Sequence, residues 1–135
     1  MPALGDIQIT EDLAQTIQDQ FTANISGADA LTGLPNRLKF LSKAKAILSL
    51  NAPTTFFFID LNKFKPINDT YGHDAGDAAL KTIATRLSTL CGKKAVVARL
   101  GGDEFAILLP NSTPELAEAL RKDVLAEIER PVTLP

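Results

Sequence analysis

Acidic side chains stand at two places where the chain leaves an apolar run. Asp60 follows "TTFFFI", and Asp103 and Glu104 follow Gly101-Gly102 within "VVARLGGDEFAILLP". A carboxylate at the end of a buried strand must be paired, bound to a cation, or costly. If the runs on either side of the two glycines form a hairpin beside the strand that ends in Asp60, two or three carboxylates converge at one sheet edge. They repel one another there unless a cation sits between them. Oxygen ligands alone point to Mg2+ or a similar hard ion, and a phosphate ester as the remaining ligand source would make this metal-assisted phosphoryl chemistry. Each feature also has a plainer reading. Asp103-Glu104 can be a solvated turn tip, and Asp60 a helix cap or one half of a surface ion pair.

The elements that must position these residues are readable from periodicity. "TTFFFIDL" is a β-branched and aromatic run without polar alternation, as expected of a central strand buried on both faces. "KAVVARL" and "EFAILLP" are strand-like and bracket Gly101-Gly102, a turn pair that tolerates positive φ, so they form a β-hairpin. Asn36 is placed to cap a helix through "RLKFLSKAKAILSL", whose Leu38, Phe40, Leu41, Ala44, Ile47 and Leu48 make a broad apolar face. That helix ends near Asn51-Ala52-Pro53. "NKFKPINDTYGHDAGD" starts helical or irregular and then turns, and helical spacing resumes in "AALKTIATRLSTL" with Leu80, Ile83, Ala84, Leu87 and Leu90 on one face. Thr113 and Pro114 suit the start of a last helix carrying Leu116, Leu120, Val124 and Ile128, and "PVTLP" reads as the opening of another strand. Near the N-terminus, Leu13, Ile17, Phe21 and Ile25 lie four apart, a narrow stripe that either packs on the same domain or serves as a linker or dimer-forming helix.

Composition sets the outer limits. The chain has 135 residues, 45% apolar and 22% charged, the profile of one globular domain. A net charge of −2 gives no sequence-wide positive field for a nucleic-acid polymer or an anionic membrane, so an anion needs a local site. The single cysteine, Cys91, cannot form an internal disulfide and is read as a packing residue in a reducing compartment. No apolar run reaches the ~18 residues of a membrane span, and the first residues lack a signal-peptide layout. The expected location is cytoplasmic, either alone or as the cytoplasmic domain of a larger membrane-bound protein.

Three stretches together carry a family resemblance. "DALTGLPNR" (29–37), "FFFIDLNKFKPINDTYGHDAGDAAL" (56–80) and "ARLGGDEFAILLP" (98–110) are similar, in order and spacing, to the GGDEF family of diguanylate cyclases. The resemblance implies an α/β (α+β), palm-like domain with a mainly antiparallel central sheet flanked by helices. It divides the chain into an N-terminal helix or linker over 1–27 and a GGDEF domain over 28–135. It also implies condensation of two GTP molecules into cyclic di-GMP with release of two pyrophosphates, on a homodimer whose domains meet face to face. Sensor or output domains are implied in the parent protein, and no nucleic-acid polymer is a partner. The alternative is a non-catalytic GTP-binding or regulatory module of the same fold.

By the same resemblance, Asp60, the carbonyl of Leu61 and Asp103 would hold Mg2+ (or Mn2+). Asp103 would act as general base, Glu104 as a further acidic residue at the metal or ribose, and Lys65 would face phosphate. Asn68 and Asp77 would read guanine, since an amide offers donor and acceptor while a carboxylate accepts from N1–H and the exocyclic amine together. Their separation crosses Gly72 and Gly76, read as a turn that lets both aim at one base. Phe64 would line the nucleotide pocket. The plainer readings are caps for Asn68 and Asp77, a solvated Lys65 and a core Phe64. His73, the only histidine, has no expected role in carboxylate-based chemistry. Arg99 is expected to support the hairpin or an acidic neighbour, or to point at a dimer partner. Gly92 and Ala95 stand where relatives carry an Arg-x-x-Asp product-binding motif, so no inhibitory product site is expected, and Asn62 stands where relatives often have Asp. The family pattern also continues beyond the last helix with a strand, a basic helix and a short strand, so the domain reads as C-terminally incomplete.

Overall fold

The computed structural model describes residues 27–61 and 64–132, with the backbone alone at 64 and 65. The stripe Leu13, Ile17, Phe21 and Ile25 lies outside the described residues. So does most of "PVTLP", of which Pro131 and Val132 are described and have no regular structure.

Asn36 begins the first helix as expected. Its side chain accepts a hydrogen bond from the Lys39 amide at 2.9 Å, capping α1 (Arg37–Leu48). There follow β1 (Thr54–Asp60), α2 (Phe64–Tyr71), α3 (His73–Cys91), β2 (Val96–Gly101), β3 (Glu104–Pro110) and α4 (Pro114–Glu129). Thr113 caps α4 by accepting from the Leu116 amide, with Pro114 at the first helical position, where its missing N–H costs nothing.

The strands form an antiparallel sheet in the order β1-β3-β2. This corrects the placing of β1 at the centre. The run "EFAILLP" takes the middle, with Phe105 to Leu109 all buried, whereas β1 is largely half-buried and lies at an edge of the described sheet. Both faces of β3 are covered because its alternate residues enter two cores. Phe105 and Ile107 pack with Leu80, Ile83, Leu87 and Val124 from α3 and α4, while Ala106 and Leu108 pack with Phe40 and Ala44 of α1. Phe56 of β1 meets Phe40 on the α1 side, ring centroids 5.8 Å apart.

Two helix expectations need correction. The broad face assigned to α1 is narrower, since Leu48 is 57% exposed and only Phe40 and Ala44 are fully buried. The helix of "AALKTIATRLSTL" starts earlier, at His73, so Gly76 is a buried helical residue and Gly72, at φ +91°, makes the break alone. Glycine suits that positive φ because it has no Cβ to clash. Cys91 packs in the α3 core at 2% exposure, and burial pushes its thiol up to about 11, which keeps it unreactive. Among the described residues no helix is long and apolar enough to cross a membrane.

Candidate functional site

The hairpin brings the sequence-separated acids to one edge. Asp60, last in β1, lies directly opposite Glu104, first in β3, and opposed residues of an antiparallel pair project from the same face. One step further, the Leu61 amide donates to the Asp103 carbonyl at 3.1 Å, so the chain leaving β1 lies against the hairpin tip. Asp60, Leu61, Asp103 and Glu104 are thus neighbours. The turn itself is shifted by one residue from expectation. Gly102 and Asp103 form the tip, and Gly101 still belongs to β2, paired with Glu104.

A β-bulge sets the angle of this hairpin. Arg99 pairs with Phe105 and Gly101 with Glu104, leaving Leu100 as the extra residue. Its carbonyl accepts from Arg37 Nε at 3.2 Å, and the Arg37 guanidinium lies 3.8 Å from Glu104 Oε1. Arg99 works on the other side. Its Nε and a terminal nitrogen donate to the Gly102 carbonyl at 3.0 and 2.8 Å, and its other terminal nitrogen makes a 3.1 Å ion pair with Asp29. Asp29 also accepts from the Thr32 amide and hydroxyl, both at 2.8 Å. Arg99 therefore fulfils both intramolecular expectations, hairpin support and an acidic neighbour.

Electrostatics follow the geometry. Burial pushes Glu104 above the usual carboxylate range; Arg37 opposes this, while the charges of Asp60 and Asp103 add to it. Burial would also raise Asp29, yet hydrogen bonds from Thr32 and the Arg99 guanidinium outweigh it and hold the group below 3.8. Asp29 and Arg37 were given no role from sequence. The available signal was two charged residues closing a Gly- and Pro-rich loop, which spacing alone does not connect to a hairpin some sixty residues away.

Asn68 and Asp77 lie on α2 and α3, helices that pack together. Neither caps an element with its side chain. Asn68 Oδ1 is buried without a hydrogen-bond partner, while its main-chain carbonyl accepts from Gly72 N at 2.9 Å. Asp77 is an exposed residue on the fifth position of α3. An unmet buried acceptor costs ~1–3 kcal/mol and is a natural place for a ligand donor. Phe64 and Lys65 open α2, and their side chains lie outside what is described. His73 is exposed at the start of α3. Gly92 ends α3 at φ +54°, a conformation an arginine would adopt only under strain.

Among the described residues no three His, Cys, Asp or Glu side chains close on one point. The acidic edge is therefore not a cage. It does fit Mg2+, which uses one or two carboxylates and leaves its other positions to substrate phosphates and water. A cavity of about 460 Å3 beside Cys91, Lys94, Leu109 and Pro110 opens at the opposite end of β3 and shares no residue with the acidic edge.

The family model described as "Diguanylate cyclase, GGDEF domain" matches residues 26–134. The chain belongs to the GGDEF family. This GGDEF domain is 33% identical over 130 residues to the probable diguanylate cyclase DgcE of Escherichia coli, covering 93% of this chain and 12% of DgcE. It is 37% identical over 125 residues to the diguanylate cyclase DgcP of the same species, covering 90% of this chain and 35% of DgcP. It thus spans only a minor part of either relative. Among solved structures, the GGDEF domain of FimX from Pseudomonas aeruginosa superposes with a TM-score of 0.75 at 31% identity, over 81% of this chain and 70% of that one. The GGDEF domain of TpbB from the same species gives 0.70 at 41% identity, over 79% and 65%. The expected α+β fold around an antiparallel sheet is that of these GGDEF domains.

Proposed function

We propose that this domain condenses two GTP molecules into cyclic di-GMP, releasing two pyrophosphates, across the face-to-face contact of two copies. The observation that carries this reading is the placing of Asp60 opposite Glu104 with Asp103 beside Leu61, an acidic edge whose Glu104 faces the Arg37 guanidinium. Family membership and the two cyclase relatives support it.

In this reading Asp60, the Leu61 carbonyl and Asp103 hold Mg2+ or Mn2+. When bound, the ion neutralises triphosphate charge and makes the attacking hydroxyl more acidic. Asp103 accepts the proton of the 3′-hydroxyl as that oxygen bonds to the α-phosphorus of the other nucleotide and pyrophosphate leaves. The same exchange in the second half-site closes the ring. Asn68 and Asp77 read the guanine edge, and the buried, unpartnered Asn68 Oδ1 supports that role. Lys65 offsets phosphate charge, Phe64 lines the base, and Glu104 adds acidity at the metal or ribose. The reaction runs in the cytoplasm, within a longer protein whose other domains supply the signal.

The test is incubation with GTP and Mg2+ and chromatography for cyclic di-GMP. Product is expected, and it should disappear when EDTA removes the metal and return with Mn2+. A dimeric protein that binds GTP without forming product would replace the enzyme reading with a GTP-binding module.

A further inference from the structure

Arg37 closes the stretch "DALTGLPNR", and the proposed chemistry gives it no task. Its position is nonetheless specific. As the first residue of α1 it stands between the helix and the hairpin, with its side chain 22% exposed. One arm, Nε, takes the carbonyl of the bulge residue Leu100 at 3.2 Å, and the guanidinium faces Glu104 at 3.8 Å. A second bond next to it, from the Arg99 amide to the Pro35 carbonyl at 3.1 Å, fastens the same strand end to the residues that precede α1.

The bulge explains why an arginine is useful here. An extra residue in a strand leaves main-chain groups outside the ladder and bends the strand. A partner for the Leu100 carbonyl fixes that bend, and the bend sets where Gly102, Asp103 and Glu104 lie relative to Asp60. Arginine's planar fork holds several donors in fixed directions and can meet a carbonyl and a carboxylate from one rigid group, whereas a lysine ammonium is a compact charge on a flexible stem. Three carboxylates at one edge also tend to splay apart, and a fixed cation on their flank opposes this.

We propose that Arg37 is a positioning residue of the site: by holding the Leu100 bulge and the Glu104 side chain together, it sets the acidic edge before any cation or nucleotide arrives. The proposal rests on the reading of that edge as the metal and nucleotide site, but its test is arranged so that the two fail separately.

The variants are Arg37→Met and Arg37→Lys, with Glu104→Gln to remove the ion pair while keeping the bulge bond. Hydrogen exchange of the segment 99–104 in the whole chain, without metal or nucleotide, is the first readout. It should speed up about tenfold in both Arg37 variants, the loss expected for one hydrogen bond to a charged group, while exchange in the core of α3 stays unchanged. Affinity for Mn2+ alone, followed by water proton relaxation, is the second. Coulomb's law makes removal of a neighbouring cation tighten Mn2+ binding, whereas loss of positioning weakens it. Weaker binding in Arg37→Met, not rescued in Arg37→Lys, is the expected result. Unchanged hairpin exchange, tighter Mn2+ binding, or full rescue by lysine would each overturn the proposal. If Arg37→Met fails to fold, Arg37→Lys decides by the same two measurements. If wild type forms no cyclic di-GMP, the functional reading fails and the exchange result still stands for or against Arg37.

Discussion

Asp29 keeps its charge in a half-buried site because Thr32 supplies two hydrogen bonds and Arg99 an ion pair. Its folded pKa lies below the ordinary 3.8, so the native state binds its proton less readily than the unfolded chain. The resulting stabilisation is complete above the ordinary value and is lost as pH falls through the lower folded value. Asp29→Asn should therefore lower stability by about 1–3 kcal/mol near neutral pH, with a smaller difference from wild type at about pH 3. Urea unfolding at the two pH values checks this. Part of that loss would come from leaving the half-buried Arg99 with half its partners, so Asp29→Asn should disturb the hairpin more than its distance along the chain implies. Asp103 lies at the other end of the same linkage, through Gly102. Asp103→Asn keeps its size and should spare the fold, yet the proposed loss of the base should cut cyclic di-GMP formation by ~10²–10⁴-fold. Circular dichroism and a turnover assay on the same sample separate the two effects.

The hairpin places its acids through two glycines that differ in backbone. Gly102 sits at φ +50° and Gly101 at φ +149°, and a Cβ at either would meet open space, so any penalty is one of backbone strain. The first conformation is left-handed helical, which an alanine can adopt for about 1–2 kcal/mol. The second is close to a region reserved for glycine. Gly101→Ala should cost about 1–3 kcal/mol and more than Gly102→Ala, a ranking that denaturant melts of the two variants can decide. Sequence made the hairpin visible because two β-branched or aliphatic runs flank Gly101-Gly102, and it made the caps Asn36 and Thr113 visible because side-chain capping is local. Sheet order was not local. "TTFFFID" was read as the strand buried on two faces and "EFAILLP" only as one arm of a hairpin, because the choice of the middle strand depends on which run finds partners on both sides. The register of the tip was missed for a similar reason, since the Leu100 bulge moves the turn by one residue and is held by Arg37 from a distant helix. Gly76 was read as a turn former, whereas helix packing buries it in α3.

On the scale of the whole molecule, the acidic edge lies at one end of the sheet and the cavity beside Cys91 at the other, with α1 covering one face and α3 and α4 the opposite face. The end bearing Asp60, Asp103 and Glu104 is where a second copy would approach under the proposed reaction. In that reaction each half-site would hold one GTP, and each nucleotide would supply both a nucleophile and an α-phosphorus, so neither copy could complete the ring by itself. A symmetric dimer then needs two working half-sites. Mixing wild type with Asp103→Asn turns this into a measurement. If copies exchange freely, an equal mixture contains about a quarter wild-type dimers, because pairing is random. Cyclic di-GMP formation should fall to about that quarter of the rate of the same total protein as wild type, and the rate per chain should rise with concentration until dimers saturate. Independent copies would instead leave one half of the rate and no concentration dependence, which would remove the dimer from the mechanism while leaving the acidic edge in place.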